Sequence, residues 1–192
     1  MRMAGAVCAR TADQADAAAS PSKEVLIAQS PQAIGDFELT DQDAHSFQFN
    51  QLAGQTTLVF FGFTHCSDVC PTTLYNLKLS DESRDVALPR AMVVMISVDG
   101  DRDTPAAMKS YLAGFSPDYL GLTGDPRAVR DIAARFSAVF FKGLPQDKSG
   151  NYVVEHTSQI YLVDRHGRLR ATFYGASAKT IADITHAVLA ER

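Results

Sequence analysis

The chain has 192 residues, 46% of them hydrophobic, with 18 lysines and arginines against 22 acids and a formal net charge of −4. That is the size of one domain with a tail, apolar enough to build a core without a disulfide scaffold. A net acidic chain with no lysine/arginine cluster argues against a nucleic-acid partner, and three cysteines, two of them close together, make a site rather than a framework.

Residues 1–33 are rich in Ala, Ser, Gln and Asp and show little periodicity, so they read as a flexible leader before a domain spanning 34–192. The apolar stretch 3–9 falls far short of the roughly 20 residues that span a bilayer and reads as the remnant of a signal or anchor. Cys8 lies within it. Gly5-Ala6-Val7 is a poor approach to a lipidated cysteine, so a bland leader residue is the better reading.

Residues 37–49 alternate apolar and polar on both sides of a polar turn, which predicts a β-hairpin. The continuous apolar run 56–63 predicts a central strand covered on both faces. Pro71 opens a helix over 71–85, and residues 91–99 form a second buried strand. Thr104-Pro105 and Asp125-Pro126 each open a further helix, with a short strand at 119–124 between them and another at 137–143. Residues 151–164 hold two extended runs that meet at His156-Thr157-Ser158. A turn over 165–168 leads to a strand at 169–175, and Ser177 caps a closing amphipathic helix. The alternation predicts an α/β sandwich with a mixed central sheet, flanking helices and an added N-terminal β-hairpin. A cysteine pair after the first buried strand and before a helix is the thioredoxin-like arrangement.

Cys66 and Cys70 are separated by Ser67, Asp68 and Val69. With Pro71 at the helix start, Cys70 is the expected N-cap, facing unpaired backbone N–H groups that favour its thiolate. Cys66 falls on the preceding loop. Thiolates serve metal binding and thiol–disulfide exchange alike. A disulfide needs Cβ atoms about 3.5–4.5 Å apart, whereas helical i, i+4 positions lie about 5–6 Å apart. The extra residue relative to a two-residue redox spacing therefore tilts the pair toward a metal, with a disulfide still open and an inert buried pair the bland alternative. Of the five histidines, His65 points away from its neighbour Cys66, His45 and His186 read as surface residues, and His166 belongs to a turn. His156 stands at the junction of two strands. In thioredoxin-like sheets that junction lies against the cysteine pair, and oxidoreductases place a cis-proline there. By this analogy His156 is the candidate third ligand. The acids of residues 98–105 read as a strand end and helix cap rather than a cation site.

Four stretches, 62–74, 96–105, 122–126 and 152–169, together resemble the Sco/SenC family of copper chaperones, over roughly residues 34–190. The resemblance implies a thioredoxin-like fold and one copper ion held by Cys66, Cys70 and His156. It also implies delivery of that ion to the CuA site of cytochrome c oxidase subunit II. Ser67 stands where the family usually has proline in the cysteine loop, and Gly100-Asp101 replace a common Pro-Glu. Two thiolates suit Cu(I), and thiolate with imidazole also supports Cu(II), while Zn(II) fits the same trio. Asp68, between the cysteines, is expected to tune the site or to contact the partner, with a solvated loop carboxylate as the bland alternative. An enzymatic alternative is a thiol–disulfide reductase that keeps a partner's copper-ligand cysteines reduced, with Cys66 and Cys70 as its redox pair. A peroxidase reading fits poorly, because Thr64 is only two residues before Cys66 and the expected proline is absent. The resemblance further implies the periplasmic face of a bacterial inner membrane or the soluble periplasm, with a periplasmic copper donor or thiol reductase as a second partner.

Overall fold

The structure, a computed structural model, describes residues 24–83, 90–144 and 152–191, so Cys8 and the apolar stretch around it lie outside the described residues. In chain order the elements are β1 (Val25–Ala33), β2 (Glu38–Asp41), β3 (Ser46–Gln48), a 3-10 turn (Phe49–Leu52), β4 (Thr57–Gly62), α1 (Val69–Glu82), β5 (Met92–Ser97), α2 (Pro105–Ala113), β6 (Leu120–Thr123), α3 (Pro126–Arg135), β7 (Phe140–Lys142), β8 (Val154–His156), β9 (Ile160–Val163), β10 (Arg168–Phe173) and α4 (Ala178–Leu189). Eight strands form a mixed sheet in the order β1-β10-β9-β4-β5-β6-β2-β3, and β7 pairs with β8 in a separate two-stranded ribbon.

The apolar run 57–62 becomes β4, buried at every position because both faces of the sheet are covered. It pairs in parallel with β5, Phe60 opposite Met95, and antiparallel with β9, Phe60 opposite Ile160. Side chains alternate along the strand. Phe61 meets Phe136 and Tyr161 edge-on, at centroid distances of 5.5 and 6.0 Å. On the other face Leu58 lies with Leu77 of α1 and Ala182 of α4. This is the expected thioredoxin-like sandwich, and the hairpin β2–β3 extends the sheet by pairing with β6.

The predicted caps of α2, α3 and α4 form. Thr104 Oγ1 accepts from Ala107 N–H, Asp125 Oδ1 from Arg127 and Ala128 N–H, and Ser177 Oγ from Thr180 N–H. Two boundaries differ from the sequence reading. Val25–Ala33 lies inside the expected leader, yet it pairs antiparallel with β10. No alternation marks it, because most of its residues are exposed and its register shifts between Ile27 and Gln32, around Pro31. The open edge of β10 recruits it. Helix α1 begins at Val69 rather than Pro71. Proline is tolerated at the third helical position because that N–H has no intrahelical partner in any case.

Candidate metal centre

The end of β4 and the start of α1 build one half of the site. Gly62 closes β4, and a Cβ placed on it would lie 2.9 Å from Cys70 Sγ and 2.7 Å from the Phe60 ring. Glycine is what lets the helix seat Cys70 against the strand. Cys70, within the first turn of α1, is fully buried, whereas Cys66 on the preceding turn is half-buried. Both are free thiols.

The helix start two residues earlier than expected exchanges the roles of the two cysteines. Asp68, not Cys70, occupies the N-cap position. The orphan N–H groups point back at Cys66, whose Sγ accepts from Cys70 N–H at 3.4 Å. Burial alone would raise the Cys66 thiol, but the N–H groups of Cys70, Asp68 and Val69 together hold it below its ordinary value. Burial pushes the Cys70 thiol well above its ordinary value, against a weaker opposing hydrogen bond from the Phe63 backbone, with the Cys66 charge adding to the rise. The sequence reading assigned the acidified thiol to Cys70; it is Cys66.

The ribbon β7–β8 supplies the other half. His156 ends β8, opposite Phe140. Its Nδ1 lies 3.0 Å from Thr157 O, which can only accept, so Nδ1 carries the ring proton. Nε2 is left with a free lone pair 3.5 Å from Cys70 Sγ. Burial lowers the imidazole's pKa, opposed by the ring's hydrogen bonding to the Thr157 and Phe61 backbone carbonyls, and the net lowering favours the neutral ring a metal needs. The Phe63 ring abuts the imidazole edge-on at 5.6 Å. One ligand atom each from Cys66, Cys70 and His156 lies within 4.8 Å of the other two. Two sulfurs and a neutral imidazole nitrogen around one point form a soft, three-coordinate donor set with an open side. The Cys70 S–H proton directed at Nε2 is what an incoming ion would displace.

The other histidines stay out. His65 Nδ1 lies 3.1 Å from Thr64 Oγ1 and 3.6 Å from Asp103 Oδ1. His45 and His166 are exposed, and His186 is half-buried on α4 beside Leu58 and Leu189. Asp68 is exposed and makes no cap hydrogen bond with its side chain. Thr64 Oγ1 donates to Asp103 at 2.6 Å, so it is engaged away from Cys66. His65, Asp99 and Asp103 also come together. Their carboxylates are already taken: Asp103 accepts from Thr64 and Ser97, and Asp99 from Arg102 and Tyr152. The Arg102 guanidinium beside them repels a second cation. A cleft of about 410 Å³ bordered by Asp36, Asn50, Thr57 and His166 opens at the opposite end of β4, away from the cysteines.

Sequence reading missed Asp99, Arg102, Asp103 and Tyr152 as neighbours of the centre, taking the acids only as a strand end and cap. The available signal was Asp99 two residues beyond a strand apolar up to Ser97, with Asp103 shortly after it, where burial without a purpose is costly.

The family model described as SCO1/SenC matches residues 27–190. A SCO2-like protein of Rickettsia conorii is 37% identical over 140 residues, covering 73% of this chain and 68% of its own. The human mitochondrial SCO2 homolog is 36% identical over 153 residues, 78% of this chain and 57% of its own. Among solved structures, copper-bound ScoI of Bradyrhizobium japonicum is 37% identical with a TM-score of 0.71, over 82% of this chain and 99% of that one. Yeast Sco1 with copper bound is 31% identical with a TM-score of 0.76, over 84% and 91%. The chain belongs to the SCO1/SenC family.

Proposed function

We propose that this protein is a copper metallochaperone that holds one ion, Cu(I) or Cu(II), through Cys66 Sγ, Cys70 Sγ and His156 Nε2 and delivers it to the CuA site of cytochrome c oxidase subunit II. The observation that carries the reading is the convergence of those three ligand atoms within 4.8 Å from positions up to 90 residues apart, Cys66 to His156. The copper-bound relatives support it. The donor set favours copper over harder cations. The open side admits an acceptor's thiolates, so transfer proceeds by stepwise ligand exchange in which the partner's sulfurs displace His156 or one thiolate before the ion moves. Exposed apolar residues lie on the elements that bear the ligands: Val69 precedes Cys70 in α1, and Val139, Phe141 and Val153 lie on or beside the ribbon that bears His156. Exposed apolar side chains of this kind suit contact with another protein, and exposed Asp68, between the cysteines, is available to it. No helix among the described residues is long and apolar enough to cross a membrane. We place the protein at the periplasmic face of the inner membrane or in the periplasm, supplied by a copper donor and by a thiol reductase that keeps its cysteines open.

The asymmetry of the two thiols favours a second reading. An accessible, acidified Cys66 beside a buried, protonated Cys70 is the arrangement of a dithiol reductant. The Cys66 thiolate would attack one sulfur of a partner disulfide and release the other as a thiolate. Cys70, giving up its proton, would then attack Cys66 Sγ in the mixed disulfide and release the bound partner sulfur, so that two electrons pass to the partner as the Cys66–Cys70 bond forms.

Copper titration of the reduced protein tests both. Stoichiometric binding in the wild type, with a thiolate-to-Cu(II) charge-transfer band weakened in His156→Ala, is the expected result. Catalytic turnover of disulfides, indifferent to His156→Ala, would favour the reductase.

A further inference from the structure

Among the described residues, one polar segment, buried at both ends, neighbours both halves of the centre. The segment Asp99–Asp103, between β5 and α2, touches both. At one end Asp103, fully buried, accepts from Thr64 N–H at 3.0 Å and from Thr64 Oγ1 at 2.6 Å, and is held by Ser97 Oγ at 2.7 Å. Thr64 opens the turn that carries Cys66. At the other end Asp99, 3% exposed, accepts from the Tyr152 hydroxyl and from Arg102 Nε at 2.5 Å. The Arg102 guanidinium lies 3.8 Å from the centroid of the Tyr152 ring, and its Nη1 donates to Tyr152 O at 3.3 Å. Tyr152 precedes β8 by two residues and His156 by four. Even β7 is tied to the same segment, through Lys142 Nζ to Asp101 at 2.5 Å.

The ribbon needs these ties. It shares no backbone ladder with the main sheet. Phe140 and Val154 press against the core, but such contacts tolerate sliding more than hydrogen bonds do. Metal–sulfur and metal–nitrogen bonds of about 2.3 and 2.0 Å leave little room for it.

We propose that Arg102 and Tyr152 are positioning residues for His156, and that Asp99–Asp103 is a bracket whose two ends set the sulfur-to-imidazole distance, Asp103 through Thr64 and Asp99 with Arg102 through Tyr152. Two buried carboxylates in one short segment are otherwise an expense the fold could avoid. Each directs an oxygen to a different arm of the centre, Asp103 to Thr64 and Asp99 to Tyr152, which is what a bracket requires. The loaded-protein arm of the test rests on the copper reading above; the metal-free arm does not.

The experiment compares Tyr152→Phe, Arg102→Lys and Asp103→Asn with wild type in the full chain. Tyr152→Phe removes one hydroxyl, and Arg102→Lys keeps the charge while losing the stack and the carbonyl bond, so both spare the core. On metal-free protein, the NOE between the Phe63 and His156 rings reports the histidine arm, and the alkylation rate of Cys66 by iodoacetamide reports the cysteine arm. On copper-loaded protein, nitrogen hyperfine coupling and copper affinity report both. The expected result is that Tyr152→Phe and Arg102→Lys weaken the ring NOE and nitrogen coupling, cost about tenfold or more in copper affinity, and leave the alkylation rate unchanged. Asp103→Asn shifts that rate and leaves the ring NOE in place. Wild-type signals in all three variants, with at most a lowered unfolding midpoint, would overturn the bracket. So would thiol and ring signals moving together in every variant. Failure of the wild type to bind copper would overturn the metallochaperone reading and leave the metal-free comparison to decide the bracket.

Discussion

At the scale of single residues the centre depends on what is absent as much as on what is present. Gly62 has no side chain where one would meet Cys70 Sγ at 2.9 Å, and the Phe60 ring at 2.7 Å blocks the other way out. Gly62→Ala must therefore push Cys70 and the first turn of α1 outward. The expected outcome is a loss of about 1–3 kcal/mol of stability from overpacking together with a weakened charge-transfer band, measured by urea unfolding and copper titration of one preparation. A wild-type band would mean that Cys70 has no need of the close approach. Cys66, Cys70 and His156 were all nameable from the sequence, because spacing and the strand–helix junction single out the pair and fold analogy supplies the histidine. Their division of labour was not. It turns on where α1 starts, and a shift of two residues moves the helix's unpaired N–H groups from one sulfur to the other.

Elements differ in how openly the sequence displays them. β4 and β5, apolar but for Thr57 and Ser97, and α2, α3 and α4, each with a Ser, Thr or Asp cap, are plain because their determinants are local. β1 is hidden because its partner supplies its structure. The turn between β9 and β10 shows a local determinant of a different kind. Asp164, nearly buried, accepts from the N–H groups of His166 and Arg168 and from the Arg168 guanidinium. Burial would raise its carboxyl, but Arg168 and those N–H groups outweigh it and hold the group below its ordinary value. A carboxyl with a depressed folded pKa adds stability that is fully present above its unfolded value and is lost as pH falls through the folded one. Asp164→Ala is expected to cost about 1–3 kcal/mol at neutral pH, from donors left without their acceptor. The deficit relative to wild type should shrink below the ordinary carboxylate range. Urea midpoints of both proteins across an acid series check this; a deficit independent of pH would assign the cost to packing instead.

For the whole molecule, the mixed sheet was legible as a class but not in its extent. Strand order across an edge is decided by which ladder is open, and no run of residues announces that. A chain starting at residue 34 would lack β1 and bare the edge of β10 while keeping the buried Ile34. Against a chain starting at residue 24, it should unfold at lower urea by roughly 1–3 kcal/mol, since a mostly exposed strand contributes chiefly through its ladder hydrogen bonds. Equal midpoints would make β1 an ornament. The direction of that strand has a further consequence. Val25 sits beside Phe173, Phe173 beside Ile160, and Ile160 beside Phe60, so β1 begins at the same end of the sheet at which β4 delivers Gly62 and the cysteine turn. The described chain thus begins on the side of the molecule that carries the candidate centre. A leash fastened there would present the loaded end to its own point of attachment, and a recipient standing on the same surface would be met across a short gap rather than sought by free diffusion.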